Sequence, residues 1–269
     1  MAAGLWRIRR RREALKKLNE VMNNAEHVIV IHYSCESFYD RPDGSSPRIT
    51  SIAVANLKSA QTNSFSIHLM AEREGVSPTA ISSHYNELER LMLDEFYEYV
   101  RRHTGYKWLH WNMKNIHYGF QAIAHRYRVL GGEPLVVQET DLVDLPRLLY
   151  AIYGPRYARH PRLQYLVEKN RISAKDFLPG SEEAAAFKRG EYVKLHFSTL
   201  RKVDIIATIA QRAYDGSLRT DATWKDIYGF YPQAISEWLS EHWLVHLVGV
   251  VFAVIGFIAS VVQIWEWLH

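Results

Sequence analysis

The runs HVIVIHYS at residues 27–34 and RITSIAVANL at residues 48–57 decide the fold of this chain. The first is rich in β-branched residues, which favour strands. The second alternates apolar and polar residues, which is typical of a half-buried strand. A region rich in Pro, Gly and Ser (41–47) joins them, and a short polar turn leads on to SFSIHLM at 64–70. Because short polar turns join strands into hairpins, we expect an antiparallel meander over 27–70.

Helical and strand patterns alternate after the meander. Ser77 and Pro78 fit the N-cap and first position of a helix that runs through Val100. KWLHWNM at 107–113 predicts a strand, and YGFQAIAHRYRVL at 118–130 predicts a helix. Further helices are expected over 5–23, 145–154, 160–172 and 198–214, and LVVQETD at 135–141 is either strand or loop. This order predicts an α/β fold, with a mixed sheet and flanking helices.

The order and spacing resemble the ribonuclease-H-like superfamily, and within it the four-acid 3′–5′ exonucleases. Their first strand ends in Asp-x-Glu, and this chain has Ser34-Cys35-Glu36. After their fourth strand they carry His-Asn-x-x-Phe-Asp, and this chain has HWNMKNIHYGF at 110–120. The stretches LVDLPRLLYAIYG, HPRLQYLVEKNRI and STLRKVDIIATIA are similar in order to the family's later helices. The resemblance covers about 27–213 and implies a ribonuclease-H-like mixed sheet.

The resemblance also implies a site at which four carboxylates hold two divalent metals that activate water. Glu36 and Asp204 match two of those carboxylates and are the candidate catalytic residues. Ser34 and Gly119 stand where the family has Asp, so the resemblance implies a degenerate site without a resident metal or other cofactor. Mg²⁺ or Mn²⁺ is expected only if the chain is an active nuclease. Its missing acids would then come from residues such as Asp40, Asp43, Asp141 or Asp144.

The charge of this 269-residue chain is mildly positive, at +4, and the excess is concentrated near the N-terminus. Such a basic cluster attracts the phosphates of nucleic acid or of anionic lipid. A solvated helix face is the alternative interpretation. The cluster comprises Arg7, Arg9, Arg10, Arg11, Arg12, Lys16 and Lys17.

Aromatic and basic residues also alternate over 108–125, where Trp111 and Lys114 are the candidate nucleic-acid contacts. Aromatic rings interleaved with cations suit base stacking, although the same residues also suit a packed core. Cys35 is the only cysteine, so the chain can form no internal disulfide. An offset of three along a strand places His32 and Cys35 on opposite faces, which argues against a cysteine nucleophile. The chain also lacks the Gly-rich nucleotide motifs GxGxxG and GxxxxGK[ST].

The run LVHLVGVVFAVIGFIASVVQI at 244–264 contains no Asp, Glu, Lys or Arg. A helix needs about 20 apolar residues to cross a bilayer, so we expect a membrane-spanning helix here. Trp residues on both sides of the run are typical of an aromatic belt. No apolar segment follows the basic N-terminus, so we expect a tail anchor with the body in the cytoplasm. A buried or amphipathic helix is the alternative.

Small residues recur along the expected membrane helix. Gly249 and Ala253 are four residues apart, as are Gly256 and Ser260. Small residues at this spacing let two helices approach closely in a membrane, so we expect self-association. The alternative is that small residues are simply common in such helices.

The sequence therefore predicts a basic N-terminal helix (1–24), an α/β nuclease-like domain (25–215), a mixed linker (216–242) and a membrane anchor (243–269). We expect a membrane-anchored protein that senses nucleic acid or binds a protein partner, with membrane lipids as its other contact. A catalytically degenerate body of this kind suits an antiviral or stress effector. One alternative is an active metal-dependent 3′–5′ exonuclease tethered to the membrane. The other is a structural membrane-docking protein.

Overall fold

The computed structural model describes residues 2–37, 46–114 and 118–229. These ranges contain five strands and nine α-helices. The strands are β1 (Val28–Cys35), β2 (Ile49–Asn56), β3 (Thr62–Ser66), β4 (Lys107–His110) and β5 (Leu142–Asp144). The helices are α1 (Ala2–Asn23), α2 (Ile67–Arg73), α3 (Tyr85–Arg102), α4 (Phe120–Val129), α5 (Leu145–Tyr153), α6 (Arg162–Lys169), α7 (Gly180–Lys188), α8 (Tyr192–Tyr214) and α9 (Trp224–Tyr228).

The strands form one mixed sheet in the order β3-β2-β1-β4-β5. β1 and β2 pair antiparallel, as do β2 and β3, so the expected meander is present. β4 joins the free side of β1 in parallel, and β5 extends the sheet in parallel beyond it. The predicted α/β class, with a mixed sheet and flanking helices, is therefore confirmed.

Both faces of the sheet are covered by helices, so β1 is buried along its whole length. On one face, Ile29 and Ile31 pack in a core that includes residues of α2, α3 and α4. On the other face, Val28 and Val30 pack in a core that includes residues of α1, α5 and α8. Because successive side chains of a strand alternate between faces, His32 continues the second series towards the carboxyl end of β1. Because His32 is polar, the face of β1 beneath α8 changes from apolar to polar at this residue.

The expected strand over 64–70 is only partly correct. β3 ends at Ser66, and α2 begins at Ile67. Ile67, Met70 and Ala71 are buried, and their spacing is that of one helix face. These apolar residues therefore form the buried face of a helix, although their pattern in the sequence also suits the end of a strand.

The expected continuous helix over 77–100 is interrupted. Pro78–Ala80 form one turn of 3₁₀ helix, and α3 begins only at Tyr85. The Ser83 hydroxyl donates to the Ala80 carbonyl oxygen at 2.8 Å, and a ring nitrogen of His84 lies 3.1 Å from the same oxygen. Side chains that hydrogen-bond to nearby backbone compete with the helical pattern, which explains the break.

Two other expected boundaries differ, and two helices lie in stretches that were expected to be irregular or mixed. β4 ends at His110 rather than at residue 113, and α8 begins at Tyr192 rather than Ser198. The stretch before α8, expected to be irregular, contains α7. Glu182 and Glu183 lie in the first turn of α7, where acidic side chains favour the helix dipole. The predicted linker 216–242 includes the short helix α9.

The predicted membrane anchor at 243–269 lies outside the described residues, together with its small-residue pairs at Gly249, Ala253, Gly256 and Ser260. Within the described ranges, no helix combines the length and apolar character needed to cross a membrane.

Candidate functional site

A cleft of about 820 Å³ lies where β1, β4 and β5 end, on the side of the sheet that α8 covers. His32 of β1, Trp111 just after β4 and Asp144 at the end of β5 line it. The carboxyl ends of parallel strands are the usual place for ligands in open α/β sheets. At this point β1 has an antiparallel neighbour on one side and a parallel neighbour on the other. The topology therefore places a cleft where side chains from several strands and helices can converge.

Three helices begin at the rim of this cleft, and each has a proline beside its first residue. Pro146 of α5, Pro161 before α6 and Pro179 before α7 all line it. Proline is favoured at helix starts because its ring presets φ and because the N–H it lacks would have no intrahelical partner. The positive ends of three helix dipoles therefore lie at one volume, where they favour an anion, and Asp144 at α5 and Glu182 and Glu183 in the first turn of α7 offset part of that potential.

Two of these three helices lack a side-chain cap. The Asp144 carboxylate caps α5 by accepting the backbone N–H of Arg147 at 3.4 Å. Among the described residues, no side chain caps α6 or α7, whose N-cap residues are Pro161 and Pro179. Because the first N–H groups of an α-helix have no intrahelical acceptor, those of α6 and α7 can serve an incoming anion.

The charged side chains of the cleft add to this positive field. Of the described residues that line it, four are Lys or Arg and two are Asp or Glu. Glu183 is buried and already has partners, because it lies 2.7 Å from Lys202 Nζ and accepts the Ser198 hydroxyl at 2.9 Å. Asp144 lies 3.9 Å from Arg147 in addition to capping α5. The four cations are Lys114, Arg147, Arg162 and Lys202.

Arg162 is held in place by its own surroundings. Its guanidinium lies over the ring of Tyr157, with 5.3 Å between the guanidinium carbon and the ring centroid. Its Nε is buried and has no hydrogen-bond partner within the described part of the chain. Stacking fixes the plane of an arginine while leaving its N–H groups available, which suits phosphate recognition.

His32 lies against the floor of the cleft and is 6% exposed. Burial, and then the charge of Lys202, hold the pKa of His32 well below its usual range, so the ring is neutral at pH 7. Neither its Nδ1 nor the hydroxyl of Ser34 has a hydrogen-bond partner among the described residues. Buried polar atoms without partners are uncommon in folded proteins. His32, which lines the cleft, and Ser34, two residues further along β1, therefore have hydrogen-bonding capacity that the described residues leave unused.

The turn after β4 carries Trp111 and Lys114 into the cleft. His110, which is fully buried, accepts the backbone N–H of Met113 through Nδ1 at 3.1 Å. Burial, followed by the charges of Lys114 and Arg147, lowers the pKa of His110 to about 3. A neutral His110 therefore fixes the turn that presents two of the cleft residues.

Tyr118 forms part of an aromatic wall. Its ring stacks on Tyr33 with 4.5 Å between centroids, and its hydroxyl donates to the Tyr33 carbonyl oxygen at 3.0 Å. The next residue, Gly119, has φ of +148°, and a Cβ there would collide with the carbonyl of Met113. Glycine is therefore required where the chain passes the turn after β4. Tyr118 and Phe177 are half-buried and line the cleft, where aromatic rings can stack with nucleobases. Trp111 also lines the cleft but is only 9% exposed, and it packs in the core with residues of α1, α5 and α8.

The structure brings some of the predicted site residues together and separates others. Trp111 and Lys114 both line the cleft, whereas Glu36 and Asp204 do not. Glu36 follows β1 and accepts the backbone N–H of Arg48 at 3.4 Å. Asp204 is 57% exposed on α8 and lies 3.6 Å from Arg201. Among the acids named for the nuclease alternative, Asp144 lines the cleft, Asp141 pairs with Lys107, and Asp40 and Asp43 are outside the described residues.

Sequence reasoning missed several residues of the cleft. They come from segments far apart in the chain, and no short motif joins them. One local signal was present, because a proline opens each helix at the rim, as in LP at 145–146, HP at 160–161 and LPG at 178–180. The missed residues are His32, Arg147, Arg162, Glu183 and Lys202.

The N-terminal basic cluster lies apart from the cleft, on α1. Arg11 is buried there, where its Nε donates to the Ile152 carbonyl oxygen at 3.1 Å. Other members pair with acids on the same helix, Arg9 with Glu13 at 2.9 Å and Lys16 with Glu20 at 4.0 Å. Part of the cluster therefore stabilises α1 and its packing. Arg7 and Lys17 are half-buried, and Arg12 is exposed.

In the described ranges, no three His, Cys, Asp or Glu side chains are grouped so as to hold a metal ion. Cys35 is buried, and burial raises the pKa of its thiol to about 12. The thiol also donates to the Ser37 carbonyl oxygen. These observations agree with a packing role for Cys35.

Comparisons with models of protein families, with curated proteins and with solved structures found no match for this chain.

Proposed function

We propose that the α/β body binds a nucleic-acid strand in the cleft at the ends of β1, β4 and β5, and that it does not hydrolyse that strand. We further propose that the segment 243–269 tethers the body to a membrane. The observation that carries the first proposal is the convergence of two uncapped helix starts with four cations and an aromatic wall. Backbone N–H groups and cations recognise phosphates, and flat rings stack with bases.

The strand order supports a ribonuclease-H-like origin for the body. An antiparallel meander joined to parallel strands forms a mixed sheet, which is the kind of sheet that the sequence resemblance implies. The resemblance also implies a site at the end of the first strand, where this chain has Ser34-Cys35-Glu36. The cleft of this chain lies at the same edge of the sheet, so we propose that it keeps a strand-binding role.

The chemistry of the cleft favours binding over metal-dependent hydrolysis. Lys202 holds the carboxylate of Glu183 in a buried ion pair, and His32 and Ser34 occupy the face of β1 nearby. A divalent cation would have to displace the Lys202 ammonium from Glu183, against charge repulsion in a poorly solvated place. Hard cations such as Mg²⁺ prefer carboxylate and carbonyl oxygens, which an ammonium group does not supply.

The first test is a nuclease assay on the full-length chain in detergent micelles, with end-labelled single-stranded DNA and RNA in Mg²⁺ or Mn²⁺. We expect the strands to be bound and to remain at full length. Glu36→Ala and Asp204→Ala should behave like the wild type, because neither residue lines the cleft. If the wild type trims the strand and Asp144→Asn abolishes the trimming, the alternative of an active nuclease is established. Absence of any binding would leave the body as a docking module for a protein partner.

The membrane tether is tested separately. We expect carbonate-washed membranes to retain the full-length chain, because each Leu, Ile, Phe or Val at the centre of the run 244–264 favours insertion by roughly 0.3–0.6 kcal/mol. Deleting residues 243–269 should release the body. Replacing Gly249 and Gly256 by Leu should leave retention intact and weaken crosslinking between copies. A full-length chain found in the carbonate supernatant would contradict the tether. A body bound to a membrane through such a helix fits an antiviral or stress effector.

A further inference from the structure

A second surface of the body has chemistry of a different kind. It is formed where the N-terminal half of α1 meets α9 and the end of α5. Trp6 is 61% exposed and Trp224 is 38% exposed, although indole side chains usually bury most of their area. We call this surface the α1/α9 face. It comprises Trp6, Arg9, Arg10, Arg156, Trp224 and Lys225.

Packing beneath the α1/α9 face holds its elements together. Ile8 of α1 packs against Ile227 and Tyr228 of α9. The Arg11 guanidinium lies over the ring of Tyr228 at 4.9 Å. Apolar packing and a cation–π contact therefore fix α9 against α1.

Cations and aromatic rings contact one another on this face. The Arg10 guanidinium lies between two rings, 5.2 Å from the centroid of Trp6 and 5.1 Å from that of Tyr150. Arg156 pairs with Asp226 at 2.6 Å, and its side chain is still 72% exposed. Glu13 pairs with Arg9 in the same way at 2.9 Å. The four cations of the face outnumber these two acids, so its net charge is positive.

The chain continues from α9 at this face towards the uncharged run. Gly229 directly follows α9, and fourteen residues separate it from Leu244, where the uncharged run begins. Fourteen residues span at most about 50 Å when extended. A membrane entered at Leu244 is therefore within reach of the α1/α9 face.

We infer that the α1/α9 face binds the surface of an anionic lipid bilayer. Indole rings prefer the headgroup level, and arginine and lysine are attracted to anionic headgroups. This face presents both groups beside the point where the chain continues towards its apolar run. Docking here would orient the body on the membrane. The inference goes beyond strand binding in the cleft, but for the reach of the bilayer it rests on the proposed membrane tether, which carbonate retention tests separately.

The experiment places an environment-sensitive dye at single introduced cysteines of the full-length chain. Cys35 is buried, and its raised thiol pKa disfavours the reactive thiolate, so it should escape labelling. Arg9→Cys puts the dye on the α1/α9 face. Ser59→Cys puts it on the exposed turn between β2 and β3, beside the other end of α1. Both proteins are reconstituted into phosphatidylcholine vesicles with and without phosphatidylserine.

We expect phosphatidylserine to raise the emission of the dye at position 9 several-fold and to leave that at position 59 unchanged. Trp6→Ala with Trp224→Ala should abolish the rise. Phe197→Ala should not, although it removes an equally exposed ring from α8. Arg10→Gln should lower the ratio of docked to undocked protein roughly fivefold. Equal emission at the two positions in phosphatidylserine would overturn the inference. Loss of oligonucleotide binding in the double variant Arg9→Gln/Arg10→Gln would also overturn the inference, because it would assign the face to nucleic acid.

Discussion

Replacing Lys114 and Arg162 together by glutamine is expected to weaken binding of a single-stranded oligonucleotide about hundredfold. Both side chains line the cleft, and Arg162 is fixed over Tyr157 near the uncapped start of α6. A hydrogen bond to a charged group contributes about 1.5–3 kcal/mol, which corresponds to roughly tenfold or more for each side chain. Fluorescence anisotropy with a labelled strand, measured over a range of salt concentrations, gives the affinity and its salt dependence.

The salt dependence separates direct phosphate binding from a general charge effect. Removing one phosphate-binding side chain should reduce the slope of log affinity against log salt by about 1, so the double variant should show a reduction of about 2. Lys58→Gln with Lys188→Gln is the matched control, since it removes the same charge from exposed positions outside the cleft. That control should bind almost as the wild type does. Equal weakening in the two double variants would reject the cleft as the binding site.

Acidification below pH 6.5 is expected to destabilise the body strongly. His32, His110 and His196 are 6%, 0% and 7% exposed, and burial is the main cause of a lowered pKa at all three. The pKa of His110 falls to about 3 and that of His196 to about 4. The unfolded chain keeps the ordinary value near 6.5, so below that pH it binds more protons than the folded chain.

The sign of the effect follows from these shifts. A histidine with a depressed folded pKa contributes stability that is present above pH 6.5 and is lost as the pH falls towards the folded pKa. Between pH 7 and pH 5, His110 and His196 should each cost about 2 kcal/mol, or about 4 kcal/mol together, and His32 acts in the same direction. Urea unfolding in detergent micelles at pH 7.0, 6.0 and 5.0 measures this directly.

His110→Asn is the informative variant for this prediction. The side-chain oxygen of asparagine can accept the Met113 N–H in place of Nδ1, while the titrating group is lost. Between pH 7 and pH 5, we expect the free energy of unfolding of this variant to fall by about 2 kcal/mol less than that of the wild type. His84→Asn makes the same substitution at an exposed position and is the matched control. Identical pH profiles for His110→Asn and wild type would show that His110 is not neutral in the folded chain.

The sequence was a good guide to the sheet because its signals are local. HVIVIHYS and RITSIAVANL form β1 and β2, and LPRLLYAIY forms α5. Apolar periodicity and turn residues specify such elements within a few residues. The signal was ambiguous where one apolar pattern suits two structures. Ile67 and Met70 illustrate this, because the sequence predicts a strand there and the structure has a helix.

The cleft was harder to predict because one position on a helix decides which side chain enters it. Asp204 was the candidate on α8, but Lys202 faces the cleft and Asp204 faces solvent. Two residues along an α-helix are about 200° apart, so the two side chains point to nearly opposite sides. The phase of α8 depends on its packing against β1 and β2, which no local pattern reveals. Arg162 and Glu183 join the cleft through tertiary packing in the same way.

The most direct test of strand binding without hydrolysis is photo-crosslinking of an oligonucleotide to the full-length chain in Mg²⁺. A strand with photoreactive bases and a labelled end reports the binding site and its own length in one experiment. We predict crosslinks to Trp111, Tyr118 or Phe177, the aromatic residues of the cleft, and a strand recovered at full length. Crosslinks confined to Trp6 or Trp224 on the α1/α9 face, or a shortened strand, would contradict this account.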